Sequence, residues 1–194
     1  MKKKFIVLPV ILIFVLGISV YFFTKKKLKT DKEVSGNLKI ITLTKKTKGK
    51  INDILKIILD VEDYKNFMPN IKKSEVFDKK NNCIFTYTVL AAPIMSERDY
   101  VLKMCVEKNT GKKLRISWKT IKNKKYPPNK DFVRITQNTG SWRIKKTDDK
   151  NIEVTYSLSI DPKTNLPDFM LDKANKKTMN NIISALENRI KDKN

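Results

Sequence analysis

Between residues 83 and 160 the chain alternates apolar and polar side chains in one segment after another. Cys83, Phe85, Tyr87 and Val89 alternate with Ile84, Thr86, Thr88 and Leu90, and Tyr100, Leu102, Met104 and Val106 alternate with Val101, Lys103, Cys105 and Glu107. Leu114, Ile116 and Trp118 alternate with Arg115, Ser117 and Lys119. Ile152, Val154, Tyr156, Leu158 and Ile160 do so with Glu153, Thr155, Ser157, Ser159 and Asp161. Successive side chains of an extended backbone point to opposite faces, so a period of two sorts each segment into two sides. Several such segments joined by short turns predict an antiparallel meander with one wet face.

The flanks change period. Leu38–Thr44 has strand composition, whereas Ile51, Ile54, Leu55 and Ile58 recur at helical spacing and predict a short helix ending near Asp60. Asp63–Asn70 reads as a second helical turn stopped by Pro69, and Ser74–Asp78 as a strand before a turn at Lys79–Asn82. After Asp161-Pro162-Lys163-Thr164-Asn165-Leu166-Pro167, the residues Leu171, Ala174, Thr178, Met179, Ile182, Leu186 and Ile190 mark one face of a long helix. The order predicts an α+β fold in which a curved antiparallel sheet grips a long C-terminal α-helix. Phe85, Tyr87, Tyr100, Met104, Trp118, Trp142 and Tyr156 are the large side chains assigned to the inner wall. With Met179, Ile182 and Leu186 of the helix they either fill the interior or line a ligand cavity.

Upstream, Lys2-Lys3-Lys4 precede 19 uncharged, mostly apolar residues from Phe5 to Phe23, and Lys25-Lys26-Lys27 follow. At about 1.5 Å per residue such a helix spans roughly 30 Å of hydrocarbon. Residues 1–24 are therefore expected to be an N-terminal transmembrane anchor rather than a cleaved signal sequence, 25–37 a basic linker, and 38–192 the folded domain. Lysines flank both ends of the segment, so positive charge barely orients it; the short Lys-bearing tail favours an exported domain on a single-pass protein.

There is no histidine, which removes Ser-His-Asp and Cys-His catalysis and imidazole-based metal sites; neither metal nor cofactor is expected. The formal charge is +22, attractive to an anionic membrane surface. Only five of the 42 basic residues are arginine, and no groove-reading or base-stacking motif accompanies them, so nucleic acid is not an expected partner.

Six ordered fragments tie the domain to a known family. These are Leu59-Asp60-Val61 with Phe67-Met68-Pro69-Asn70-Ile71-Lys72; Ala92-Pro93 to Ser96-Glu97-Arg98-Asp99-Tyr100-Val101; Pro127-Pro128 with Phe132-Val133-Arg134; Gly140-Ser141-Trp142-Arg143-Ile144; Val154-Thr155-Tyr156; and Asp161-Pro162 with Leu166-Pro167. Together they resemble the START family of lipid-binding domains, in the helix-grip or SRPBCC superfamily, over about residues 38–192. Phe67 replaces the family's usual Trp, and Thr164 its usual Gly. The resemblance implies a sheet-and-helix cavity for a lipid or other hydrophobic molecule, with the C-terminal helix and adjoining loops as a lid.

Arg98 opens an otherwise apolar strand. It either orients a polar ligand head at the cavity mouth or pairs with Asp99, Glu97 or a neighbouring strand. Arg134 is expected to point outward. Cys83 shares the parity of Phe85, assigned inward, and Cys105 that of Lys103 and Glu107, assigned outward, so no disulfide is expected. The leading expectation is a monomeric, membrane-anchored module that binds a hydrophobic ligand. The alternatives are a cyclase-like enzyme of the wider superfamily and a ligand-free protein-interaction module.

Overall fold

The computed structural model describes residues 32–35, 38–91 and 96–192. The expected membrane anchor and the Pro93 turn lie outside these residues. Among the described residues no helix is long and apolar enough to cross a membrane.

Nine strands are described: β1 (Lys32–Ser35), β2 (Leu38–Lys48), β3 (Ile71–Lys80), β4 (Cys83–Leu90), β5 (Arg98–Asn109), β6 (Lys113–Thr120), β7 (Val133–Arg134), β8 (Asn138–Lys146) and β9 (Asn151–Ile160). Three α-helices accompany them, α1 (Ile51–Leu59), α2 (Tyr64–Phe67) and α3 (Asp168–Asp192), with a 3-10 turn at Val61–Asp63 before α2. The strands form one curved antiparallel sheet in the order β1-β2-β9-β8-β6-β5-β4-β3. β7 alone runs parallel to its neighbour, beside Arg98 and Asp99 of β5. β1 pairs with β2, so the sheet begins inside the stretch read as linker. Register shifts in the β3–β4 and β5–β6 pairings mark bulges, which sharpen the local twist.

The inner face packs on α1 and α3. Ile51, Ile54, Ile57 and Ile58 of α1, and Met179, Ile183, Leu186 and Ile190 of α3, are buried in one cluster with Leu114, Ile116, Trp118, Trp142, Ile144, Val154 and Tyr156. Gly140 permits this wall. A Cβ there would lie 2.2 Å from the Trp118 ring and 2.4 Å from the Ser157 carbonyl, so only glycine lets the indole lie flat on β8. The turn between Phe67 and Ile71 is held against α3 as well, since Arg189 stacks over Phe67 and pairs with Asp63.

A second apolar cluster occupies the other face of β3–β5. Tyr87, Val89 and Val101 are buried there beneath Phe77, Ile121, Tyr126 and Phe132. This overturns the inward assignment of Phe85 and Tyr87. Phe85 lies opposite Lys103, whose ammonium sits 5.9 Å from its ring, and Tyr87 stacks on Tyr126 at 4.5 Å. On β4 the inward positions are Ile84, Thr86, Thr88 and Leu90, opposite Met104, Leu102, Tyr100 and Arg98.

The cysteine expectation falls with the same assignment. Cys83 and Cys105 are direct cross-strand partners and form a disulfide. Val106 N–H donates to the Asn82 carbonyl at 2.9 Å, leaving the 83/105 pair as one without backbone hydrogen bonds, where facing side chains stand closest. Partners in an antiparallel pair share a face, so both cysteines point outward.

Candidate ligand-binding site

The grip has a tight end and a looser one. Leu114, Ile116, Ile144, Ile152 and Val154, at the end where Ile190 approaches Gly49, are at most 2% exposed. At the other end the inner-wall residues Leu90, Tyr100, Leu158 and Ile160 are only half-buried. The same gradient runs along α3, where no residue before Met179 is buried.

Between the two ends stands an aromatic wall. The Trp118 and Tyr156 rings are 5.5 Å apart and nearly parallel, and Trp142 lies 4.3 Å from Tyr156. Trp118 donates its indole N–H to the Asn138 side chain at 2.9 Å, which satisfies the one polar atom of a buried indole. Burial pushes the Tyr156 phenol well above its ordinary range. It pushes Tyr100 up to about 12, partly offset by a hydrogen bond with Thr88. Both phenols are therefore neutral at physiological pH.

Arg98 sits at the looser end on the inner face, 6% exposed. Its Nε–H donates to the Pro162 carbonyl at 3.3 Å and another nitrogen to the Ser96 carbonyl. The carboxylates named as its sequence-level partners are engaged elsewhere. Glu97 accepts from Lys72 at 2.7 Å, and Asp99 faces the other side of the sheet. There Arg134 donates twice to Asp99, at 2.8 and 2.7 Å, and Tyr87 donates once at 3.1 Å. Arg134 is thus on the outer face, as expected, but as the largely buried half of an ion pair.

The turn that leads to α3 departs from a glycine-based one. Lys163 takes the left-handed conformation (φ 51°), and Asp161 holds it by accepting its backbone N–H at 2.9 Å and pairing with its ammonium at 2.8 Å. Those bonds keep the Asp161 carboxyl below the usual carboxylate range.

The structure therefore brings Arg98, Tyr100, Met104, Trp118, Trp142, Tyr156, Met179, Ile182 and Leu186 to the inner space, and places Phe85 and Tyr87 outside it. Sequence reasoning placed Leu158 and Ile160 on the apolar face of their strand without naming them as site residues, and it missed Ile183, although the helical spacing carried the signal. It also missed Asn138, which carries none. Among the described residues no group of His, Cys, Asp or Glu is arranged to hold a metal ion. The sole buried carboxylate among them is Asp99, on the outer face, and the inner wall's buried polar side chains are Ser74, Thr86, Thr88, Arg98 and Asn138. That set can hydrogen-bond and attract an anion.

A sheet gripping a C-terminal helix over an apolar wall defines a helix-grip protein. The chain belongs to the family described as polyketide cyclase / dehydrase and lipid transport, whose model matches residues 49–187. Mouse START domain-containing protein 10 is 36% identical over 55 residues, 28% of this chain and 19% of the mouse protein, so the match spans about a fifth of that relative. Among solved structures, a STAR-related lipid transfer protein fragment from Xanthomonas axonopodis superposes with a TM-score of 0.70 at 20% identity, covering 84% of this chain and 98% of that one. The Zhui aromatase/cyclase from Streptomyces sp. R1128 superposes at 0.63 with 10% identity, covering 80% and 94%. At such identities these likenesses establish the shared fold.

Proposed function

We propose that the protein binds a lipid or another hydrophobic small molecule between the looser half of the sheet and the first turns of α3, at a membrane to which residues 5–23 anchor it. The observation that carries this reading is the burial gradient. Leu90, Tyr100, Leu158 and Ile160 present an incompletely covered apolar wall, and the helix above them is not packed down until Met179. An apolar guest would complete that burial at about 25 cal/mol per Å2 of surface removed from water. Arg98, at the rim of the wall, would hold the guest's polar head by charge-assisted hydrogen bonds. The Trp118–Tyr156–Trp142 wall sets the depth of the site.

The family description and the Streptomyces structure favour a second reading, in which a cyclisation is catalysed on the same wall. The neutral phenols and the Arg98 guanidinium of that wall suit retention better than proton transfer, which calls for a base. The Cys83–Cys105 disulfide supports an exported domain, since such bonds persist in oxidising compartments.

Native mass spectrometry of protein purified in mild detergent tests the binding reading. A hydrophobic adduct that survives gentle desolvation, and is lost in Arg98→Met or Leu158→Asp, is the expected result. Adduct-free spectra across several lipid-supplemented preparations would sink it. For the exported placement, thiols in intact cells should resist alkylation until a reductant is added; free thiols would reverse the assignment.

A further inference from the structure

Beyond the Tyr87 cluster, the outer face of the sheet opposes like charges. β6 turns Arg115, Ser117 and Lys119 outward between the buried Leu114, Ile116 and Trp118, and β8 turns out Ser141 and Arg143 on either side of the buried Trp142. Arg115 lies directly opposite Arg143 on one side and Lys108 on the other, and Lys119 lies opposite Lys103. Lys113 faces Lys145 in the same way. Like charges directly opposite on neighbouring strands are destabilising. Acids relieve this in part: Glu107 pairs with Arg115 at 2.5 Å and accepts from Ser117, and Glu153 lies opposite Lys145. Lys108, Lys119 and Arg143 are in no ion pair among the described residues.

A lysine-rich composition scatters cations over any surface, but it does not account for arginine. Of the chain's five arginines, Arg98 holds the Ser96 and Pro162 carbonyls, Arg134 holds Asp99, and Arg189 holds Asp63. The other two, Arg115 and Arg143, are the exposed and opposed pair. Beside them runs a row of hydroxyls. Ser117, Ser141, Ser157 and Thr42 are successive cross-strand partners across β6, β8, β9 and β2, and the adjoining row continues from Arg143 into Thr155 and Thr44. Thr42 bonds Ser157 at 3.0 Å and Thr44 bonds Thr155 at 3.1 Å.

Small side chains keep these rows flat, so an extended polymer can lie across the strands. A guanidinium fork matches phosphate oxygens, and the hydroxyls match a hydroxylated backbone. The outward positions of β6, β8 and β9 carry no aromatic ring, so nucleic-acid bases would have nothing to stack on. A second copy would bring like charges together in a two-fold contact, and the chain's own Lys25–Lys29 stretch has the same sign. We infer that this face binds a linear polyol-phosphate chain, its phosphodiesters against Arg115, Arg143 and Lys119 and its hydroxyls along the Ser117–Thr42 row. The site lies on the opposite side of the sheet from the apolar wall and does not depend on the ligand proposed there.

Fluorescence anisotropy of end-labelled poly(glycerol phosphate), titrated with the full chain in uncharged detergent, gives the test. Saturable binding that weakens steadily with salt is expected, as counterions compete for the phosphates. Arg115→Ser with Arg143→Ser should weaken it at least about tenfold. Lys176→Ser with Lys177→Ser removes the same charge from α3 and should change it by no more than about twofold. Arg143→Glu should abolish binding and yet raise the thermal midpoint of the free protein by about 1–3 °C, because it turns an opposed pair into an ion pair. Absence of binding, equal loss in the α3 control, or a lower midpoint in Arg143→Glu would each overturn the inference. So would tighter binding of poly(U) or poly-glutamate at matched charge, which would point to nucleic acid or an acidic protein. The hydrophobic adduct should persist in all these variants, so the two readings fail separately.

Discussion

Arg98 and Asp99 are consecutive in β5, oppositely charged and both buried, yet they face opposite sides of the sheet. On the outer side Asp99 is closed in by Arg134, Tyr87 and the segment from Ile121 to Phe132 that folds back over Tyr87, Val89 and Val101. On the inner side Arg98 reaches backbone carbonyls at the rim of a wall that is not fully covered. Around this pair the outer face is closed and the inner rim is open, whereas at the other end of the sheet the inner face is the tightly packed core. At the Arg98–Asp99 end, stability should therefore depend most steeply on the outer side, and ligand retention on the inner.

The sharpest way to break that comparison is Asp99→Ala. It strands the Arg134 guanidinium in a largely buried position and should cost about 3–5 kcal/mol in denaturant unfolding. If it costs no more than Arg98→Met, the contrast between the faces is wrong. Next comes Cys83→Ser with Cys105→Ser, expected to cost about 2–4 kcal/mol, with the same loss in wild type on adding reductant. Gly140→Ala, on the inner face, must displace Trp118 or the β9 backbone and should cost about 1–3 kcal/mol. It should also release any adduct, a double effect that the outer-face variants should lack.

Alkaline pH bears on both faces. Burial raises Tyr100 inside, and Tyr87 and Tyr126 outside, to about 12 each. An unfolded phenol titrates near 10, so the stability these groups contribute is complete below about pH 10 and is lost as pH rises toward 12. Phenolate absorbance should lag behind that of free tyrosine and rise together with unfolding. The smallest stability effect is expected for Arg98→Met, about 1 kcal/mol or less, because the methionine can keep the apolar stem in place. Its signature is loss of the adduct.

Much of this was legible in the sequence. α1, α3 and the ranges of the long strands follow from their hydrophobic periods, and the aromatic wall from β6, β8 and β9, where one face meets solvent and alternation is unambiguous. β4 is different because both its faces are covered. Thr86 and Thr88 look like a wet face but are buried inside, Thr88 against the Tyr100 phenol, while the bulky Phe85 and Tyr87 serve the outer cluster. Composition ranked Phe and Tyr above Thr for the interior. Only the cross-strand register, a long-range fact, could reverse that ranking, and the disulfide was missed for the same reason. Asn138 and the β7 contact also arise from tertiary pairing that leaves no periodic trace.

The disulfide has one more consequence. In a two-sided apolar hairpin, a slip of one residue between β4 and β5 costs little hydrophobic burial, yet it turns every side chain to the opposite face. Such a slip would bring Asp99 inside and send Arg98 outward. A covalent link between Cys83 and Cys105 admits only the pairing in which these two residues face each other. It therefore fixes the handedness of the hairpin's chemistry, and so decides which sign of charge the interior shows to whatever enters it.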